Sequence, residues 1–113
     1  MEVKLVVKFW LETEKGYIFG EGTLNLLRKI QELGTLRAAA EALNMSYRHA
    51  WGIIKNIERR MDKPILKTHK GGSLGGGGAK LTEEGILLMN KYLEIKIALT
   101  EITNKFAGHI EIA

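Results

Sequence analysis

Residues 36–55 read LRAAAEALNMSYRHAWGIIK, and this stretch decides the fold. It predicts a short alanine-rich helix before Asn44, a residue that tolerates left-handed backbone angles, and a second helix that Ser46 can cap. Ala40 is small enough to let two helices cross closely. The pattern predicts a helix-turn-helix; an ordinary helical hairpin is the alternative. The apolar residues with suitable spacing to lock the two helices together are Ala39, Leu43, Met45, Ala50 and Ile53.

The second helix, predicted over residues 46–61, has two different faces. One face is apolar at three-to-four spacing and is expected to be buried; it comprises Ala50, Ile53, Ile54, Ile57 and Met61. The opposite stripe comprises Arg48, Gly52, Lys55 and Arg59. Glycine inside a helix costs about 1 kcal/mol of helix stability relative to alanine. A small residue at an exposed position such as 52 is understandable if another surface must come close to the helix. A recognition helix in the major groove of DNA meets that demand. Trp51 is expected to pack against the first helix or the hairpin, and contact with a base is the alternative.

The residues upstream predict a β-hairpin within 1–20. Residues 3–12 alternate between apolar and other residues, the period of a strand with one buried face. Residues 14–16 indicate a turn, and residues 17–19 can form the return strand. A helix is then predicted over 23–33, with Gly34 as its C-terminal cap. Thr35 can cap the short helix that follows.

The residues downstream predict a glycine-rich wing over 65–81. A β-prone run at 65–69 precedes six glycines within residues 71–78, and residues 80–81 can return as a strand. Glycines would let backbone N–H groups approach phosphates, and Lys67, Lys70 and Lys80 add positive charge. A glycine-rich connection without a role is the alternative.

The last helix, predicted over 82–106, carries a long apolar seam. Its residues are spaced alternately by four and three positions, as in a coiled coil; they are Leu88, Tyr92, Ile95, Leu99, Ile102 and Phe106. One short domain has little to cover so long a stripe, so a homodimer is expected. Coverage by the hairpin and the first helix is the alternative.

Length and composition exclude several classes of protein. The chain has 113 residues, which predicts a single domain over 1–113 with little room for a ligand-sensing domain. It has no cysteine, which excludes disulfides, thiolate metal sites and a cysteine nucleophile. No apolar run is long enough to span a membrane, and the N-terminus does not resemble a signal peptide. A cytoplasmic location is therefore expected.

The positive charge is concentrated in residues 44–82. This segment holds eight basic and two acidic residues, whereas the rest of the chain holds nine basic and eleven acidic residues. Such an asymmetry is typical of a protein with a polyanionic partner. Charge alone is equally compatible with a solvated basic surface. The glycine run does not match a nucleotide-binding loop because Lys80 does not directly follow a glycine. The three histidines lack metal-ligand spacing, so neither an enzyme nor a cofactor is expected.

Three segments together resemble a known family. They read GTLRAAA at 34–40, MSYRHAW at 45–51 and KGGSLGGGGAKLT at 70–82. These segments resemble the N-terminal DNA-binding domain of ModE-type molybdate-responsive regulators, within the wider LysR-type winged-helix group. The resemblance implies dimerisation through helices, and DNA contacts from residues 46–48 and the wing glycines. It does not extend to the molybdate-binding domains of that family, so molybdate sensing is not implied, and a separate effector-sensing protein is a conceivable partner.

The combined interpretation is an α+β, mainly α, winged helix-turn-helix with an N-terminal β-hairpin and a long C-terminal dimerisation helix. Residues 23–61 hold three helices, and the helix-turn-helix lies at 36–61. The expected function is a homodimeric, sequence-specific transcriptional regulator that binds double-stranded DNA; the alternative is a module that binds an acidic protein. The expected DNA-binding residues are Arg37, Ser46, Tyr47, Arg48, His49, Gly52, Lys55, Arg59, Lys67, Lys70, Gly71, Gly72, Gly75, Gly76, Gly77, Gly78 and Lys80.

Overall fold

A computed structural model describes residues 1–69 and 77–111. Those residues form four helices and six short strands, and they confirm the α+β winged helix with a long C-terminal helix. In chain order the elements are β1 (Glu2–Val3), β2 (Leu11–Thr13), β3 (Gly16–Phe19), α1 (Glu21–Leu33), α2 (Leu36–Ala42), α3 (Tyr47–Met61), β4 (Leu66–His69), β5 (Gly78–Leu81), α4 (Glu83–Lys105) and β6 (Gly108–His109).

The helix ends lie where the capping residues predict them. Gly34 and Asn44 both adopt left-handed backbone angles, with φ of 80° and 55°. Three hydroxyl side chains accept the backbone N–H three residues later at 3.0 Å, as N-caps do; they belong to Thr35, Ser46 and Thr82. Helix α3 ends at Met61, and left-handed Asp62, with φ of 56°, follows it two residues before Pro64.

The core forms where α1, α2 and α3 meet. Four apolar residues of α1 are fully buried: Leu24, Leu26, Leu27 and Ile30. Ala39 and Ala40 of α2 are buried at the close helix crossing. The predicted apolar face of α3 also points inward, since Ala50, Ile54 and Ile57 are buried while Ile53 and Met61 are partly buried against the core.

The base of the wing is held firmly against the helices. Strands β4 and β5 pair antiparallel, from Leu66 opposite Leu81 to His69 opposite Gly78. The N–H of Ala79 donates to the carbonyl of Gly34 at 2.8 Å, which ties β5 to the turn before α2.

The start of α4 packs closely against the chain just before β4. A Cβ atom at Gly85 would lie only 2.6 Å from the backbone oxygen of Ile65, so this approach requires glycine. The N–H of Thr82 donates to the same oxygen at 2.9 Å, and its hydroxyl donates to the carbonyl of Pro64 at 2.7 Å. The wing and α4 are therefore fixed to each other.

The N-terminal strand is much shorter than predicted. The prediction of a strand over 3–12 is wrong, because only Leu11–Thr13 pair with the return strand β3. A strand needs a partner for its backbone hydrogen bonds, and β3 offers only four residues before α1 begins. Residues 2–3 pair instead with residues 108–109, and the intervening Leu5, Val6 and Val7 are exposed.

The first half of α4 belongs to the chain's own core. The ring of Tyr92 stacks on Phe9 at 4.5 Å and lies 5.0 Å from Phe19, and its hydroxyl donates to Glu21 at 3.0 Å. Burial, together with this hydrogen bond, raises the pKa of Tyr92 to about 12. Leu88 and Tyr92 are buried within the protomer, where Phe9, Phe19 and Glu21 contact Tyr92. Their expected place in a dimer interface stays a prediction.

Candidate nucleic-acid interface

The outer stripe of α3, formed by Arg48, Gly52, Lys55 and Arg59, carries three exposed cations. Arg48, Lys55 and Arg59 are exposed, as the helical period predicts. A Cβ atom at Gly52 would meet no other atom within 4 Å, so nothing within the described chain requires glycine at this position. The backbone of α3 is therefore open to close approach midway along the stripe.

An open groove joins the start of α2, the start of α3 and the wing. Its volume is about 500 Å³, and its walls comprise Thr35, Leu36, Arg37, Tyr47, Thr68, His69, Gly77, Gly78 and Ala79. The structure thus brings four predicted site residues together, namely Arg37, Tyr47, Gly77 and Gly78. Arg48 and His49 follow Tyr47 in the first turn of α3 and are exposed. The Ser46 side chain is occupied locally, since its hydroxyl caps α3.

Two wing lysines face each other across the β-ladder. Lys67 on β4 lies directly opposite Lys80 on β5, and both are exposed. Like charges at directly opposite positions destabilise a ladder, and a bound anion would relieve that repulsion. Lys80 also lines a second groove on the far side of the wing, next to Ile30 and Ile86. The predicted site residues Lys70, Gly71, Gly72, Gly75 and Gly76 lie outside the described residues.

A stack of two aromatic rings between two cations crosses the helix-turn-helix. The Arg37 guanidinium lies 4.6 Å from the centre of the Tyr47 ring. The Tyr47 and Trp51 rings stack with centres 6.4 Å apart and planes 15° apart. The Lys55 ammonium lies 4.4 Å from the centre of the Trp51 ring. Trp51 was expected to pack against the first helix or the hairpin; it packs partly against the core, and its ring also lies under the Lys55 ammonium. The four-residue spacing of 47, 51 and 55 was the sequence signal for this arrangement.

Glu58 connects α3 to the wing. Its carboxylate accepts hydrogen bonds from the backbone N–H groups of Ile65 at 2.8 Å and Leu66 at 3.3 Å. It also accepts a hydrogen bond from Lys55 Nζ at 3.1 Å. Burial raises the pKa of this carboxyl, but these three hydrogen bonds outweigh it and hold the pKa below its usual value. In the sequence, Glu58 is recognisable only as one of two negative charges within residues 44–82. Its partners are seven and eight residues away across a turn, which no periodicity reveals.

Two basic residues near the end of α3 are also partly engaged. Arg60 Nη1 donates to the carbonyl of Tyr17 at 2.5 Å, which attaches α3 to the hairpin. The Arg59 guanidinium donates to the side chain of Asn56, one turn earlier. Arg60 therefore serves the fold, whereas Arg59 keeps an exposed position on the outer stripe.

The described ranges give no indication of a metal centre or of a membrane-spanning helix. Within residues 1–69 and 77–111, no three histidine, aspartate or glutamate side chains are grouped so that they could hold a metal ion. No helix in this part of the chain has the length and apolarity needed to cross a bilayer.

Comparison with known proteins shows the family to which the chain belongs. Residues 22–86, more than half of the chain, match the family of bacterial regulatory helix-turn-helix proteins of the LysR type. The chain belongs to this family. The matched residues run from α1 through the wing to the start of α4, so they include the groove and the outer stripe. The helix-turn-helix is that of a DNA-binding transcription regulator, a class that is not enzymatic.

Several curated proteins are similar to this chain. The molybdenum transport protein ModE of Azotobacter vinelandii is 30% identical over 112 residues, which cover 93% of this chain and 41% of that protein. The transcriptional regulator ModE of Haemophilus influenzae is 33% identical over 87 residues, covering 77% of this chain and 32% of that protein. The resemblance to ModE-type regulators is thereby confirmed. The chain spans less than half of the length of these relatives.

We expect Glu58→Gln to weaken the attachment of the wing. At about pH 7 the free energy of unfolding should fall by about 1–3 kcal/mol, the range for hydrogen bonds to a charged group. Because the folded-state pKa is lowered, the stabilisation is present above the unfolded-state pKa and is lost as the pH falls through the folded-state pKa. The free energies of unfolding of the wild-type protein and of Glu58→Gln should therefore become similar at low pH. Urea unfolding of both proteins between about pH 7 and pH 3 would measure this difference.

Glu32→Gln is the matched control, since Glu32 forms an exposed pair with Lys29 and accepts no backbone N–H. It should leave stability almost unchanged. A Glu58→Gln deficit that stayed constant over the whole pH range would show that the charge of Glu58 is not what holds the wing.

Proposed function

We propose that the chain binds double-stranded DNA sequence-specifically, with α3 in the major groove and the wing along the sugar-phosphate backbone. The observation that carries this proposal is the cationic outer stripe of α3, which is unobstructed at Gly52 and begins at a groove shared with the wing. A helix enters the major groove with its N-terminal residues toward the base edges. That geometry assigns base contacts to the first turn of α3.

The cations divide into two roles in this proposal. Arg48 reads guanine, because a guanidinium can donate two hydrogen bonds to its O6 and N7 atoms. Lys55 and Arg59 contact phosphates, which position the protein without reading sequence. The repulsion between Lys67 and Lys80 is relieved when a phosphate lies near the wing. Glycine backbone N–H groups supply further phosphate donors.

The proposal includes a homodimer formed through the second half of α4. Beyond Tyr92 the helix leaves the core, and its apolar seam becomes progressively uncovered: Ile95 and Leu99 are half-buried, whereas Ile102 is 50% and Phe106 is 67% exposed. A second copy would cover this seam by a two-fold contact. Two recognition helices would then read two half-sites.

We expect Arg48→Ala and Lys80→Ala to affect DNA binding differently. Arg48→Ala should cost about 1–3 kcal/mol on a duplex selected from a random pool and should reduce the preference over random duplex. Lys80→Ala should weaken all duplexes alike and lower the salt slope by about one unit. Fluorescence anisotropy titrations at several salt concentrations would measure both effects. An unchanged preference in Arg48→Ala would contradict base reading, and negligible wild-type binding at every salt concentration would favour the acidic-protein alternative.

Gly52→Ala should separate stability from binding. The added methyl group meets no atom of the chain and should stabilise α3 by up to about 1 kcal/mol. The same methyl group would obstruct the duplex, so affinity should fall at least about tenfold, which corresponds to roughly 1.4 kcal/mol. Gly22→Ala in α1, where a Cβ atom also meets nothing within 4 Å, is the control and should not change binding. Equal binding by both variants would refute close approach at Gly52.

Ile102→Glu should convert the dimer to monomers. A charge at a buried apolar contact carries a desolvation cost that the second copy cannot compensate. Sedimentation velocity would measure the mass of each species. Asn90→Glu places the same charge on an exposed position of α4 and should leave the dimer intact. A dimeric Ile102→Glu protein would exclude the seam as the interface.

A further inference from the structure

We infer that Tyr47 and Trp51 are positioning residues whose stacked rings hold Arg37 and Lys55 in place before DNA arrives. The inference rests on the proposed DNA binding. Cations lie over both rings of the pair, at 4.6 Å on the Tyr47 side and at 4.4 Å on the Trp51 side. Both distances are within the range at which a ring attracts a cation.

The stack unites two helices that meet at the groove. Arg37 is the second residue of α2, whereas the two rings and Lys55 lie on successive turns of α3. Long cationic side chains lose much rotamer freedom when they are immobilised on a ligand. A cation that already rests on a ring has lost part of that freedom in the free protein, so binding costs less.

Lys55 has a second restraint that extends the stack to the wing. Its ammonium donates to Glu58 at 3.1 Å, and the same carboxylate accepts the N–H groups of Ile65 and Leu66. A continuous chain of contacts therefore runs from α2 over the two rings to the first strand of the wing. The position of the Lys55 charge is set relative to both DNA-facing elements.

Trp51 is suited to this role because its two sides have different environments. It is only partly buried and packs against the core, while its ring also carries Lys55. Tyr47 is 42% exposed, so its ring is held mainly by its neighbours in the stack. This role requires no intercalation of either ring between base pairs, because the rings act on Arg37 and Lys55 in the free protein.

The test is a double-mutant cycle on Trp51 and Lys55, with DNA affinity and salt slope as readouts. Trp51→Leu should weaken binding about threefold to tenfold and lower the salt slope, although Trp51 itself contacts no phosphate. Trp51→Phe keeps a ring under Lys55 and should restore most of the affinity. Adding Lys55→Met to Trp51→Leu should cost less affinity than Lys55→Met costs in the wild-type protein, because part of the Lys55 contribution depends on the Trp51 ring.

The control cycle combines Trp51→Leu with Lys29→Met. Lys29 forms an exposed pair with Glu32 three residues later, like Lys55 with Glu58, but no ring supports it. These two changes should be additive. Nuclear magnetic resonance of the free protein should also show ring-current shifts on the Lys55 side chain that Trp51→Leu abolishes.

Several results would overturn the inference. Additive losses for Trp51 and Lys55, or unchanged salt slopes in a folded Trp51→Leu protein, would reduce Trp51 to a packing role. If Trp51→Leu does not fold, Tyr47→Leu provides the same test for Arg37, with Tyr47→Phe as the conservative variant. A wild-type protein that fails to bind any duplex would instead remove the proposed function itself, so the two failures are distinguishable.

Discussion

The angle between α2 and α3 depends on one tight turn, and the rest of the structure is arranged around it. Asn44 adopts a left-handed backbone, and the N–H of Met45 donates back to the carbonyl of Ala40 at 3.0 Å. Ser46 then caps α3, so the new helix starts at Tyr47, three residues after the left-handed residue. The short turn holds α3 close to α2, and the Arg37 guanidinium near the start of α2 lies 4.6 Å from the centre of the Tyr47 ring at the start of α3. The groove that contains Arg37 and Tyr47 follows directly from this constraint.

The wing reaches the same groove through a separate set of attachments. Glu58 holds the chain before and at the start of β4, while Ala79 ties β5 to the turn at Gly34. Each attachment joins the wing to one of the helices that form the groove. The position of the wing is therefore set by hydrogen bonds from α3 and from the α1–α2 turn. The glycine-rich tip does not need to organise its own base.

Local signals in the sequence predicted the helical part of the fold well. Caps such as Ser46 and the buried face containing Ala50 and Ile54 depend only on neighbours within one or two turns, so the sequence displays them directly. The strand predicted over 3–12 was wrong because a strand depends on a distant partner, and β3 is too short to provide one. Leu88 and Tyr92 followed the seam pattern, but periodicity alone does not distinguish a protomer core from a dimer contact.

The parts of the candidate site that escaped prediction are also non-local. The carboxylate of Glu58 satisfies backbone groups across a turn, and Arg37 meets Tyr47 only because α2 and α3 cross closely. The outer stripe of α3, in contrast, was predicted residue by residue from its period. The exposed cations could thus be found from the sequence, whereas the contacts that hold them in place required the structure.

The central claim is that α2, the outer stripe of α3 and the wing form one continuous DNA-binding face. The most direct measurement is amide chemical-shift mapping of the protein titrated with a selected duplex. The account predicts that the largest shifts cluster at Arg37, at residues 46–59 and along β4 and β5, while the α4 seam changes little. Large shifts confined to α4 or to the N-terminal segment, with α3 unaffected, would contradict it.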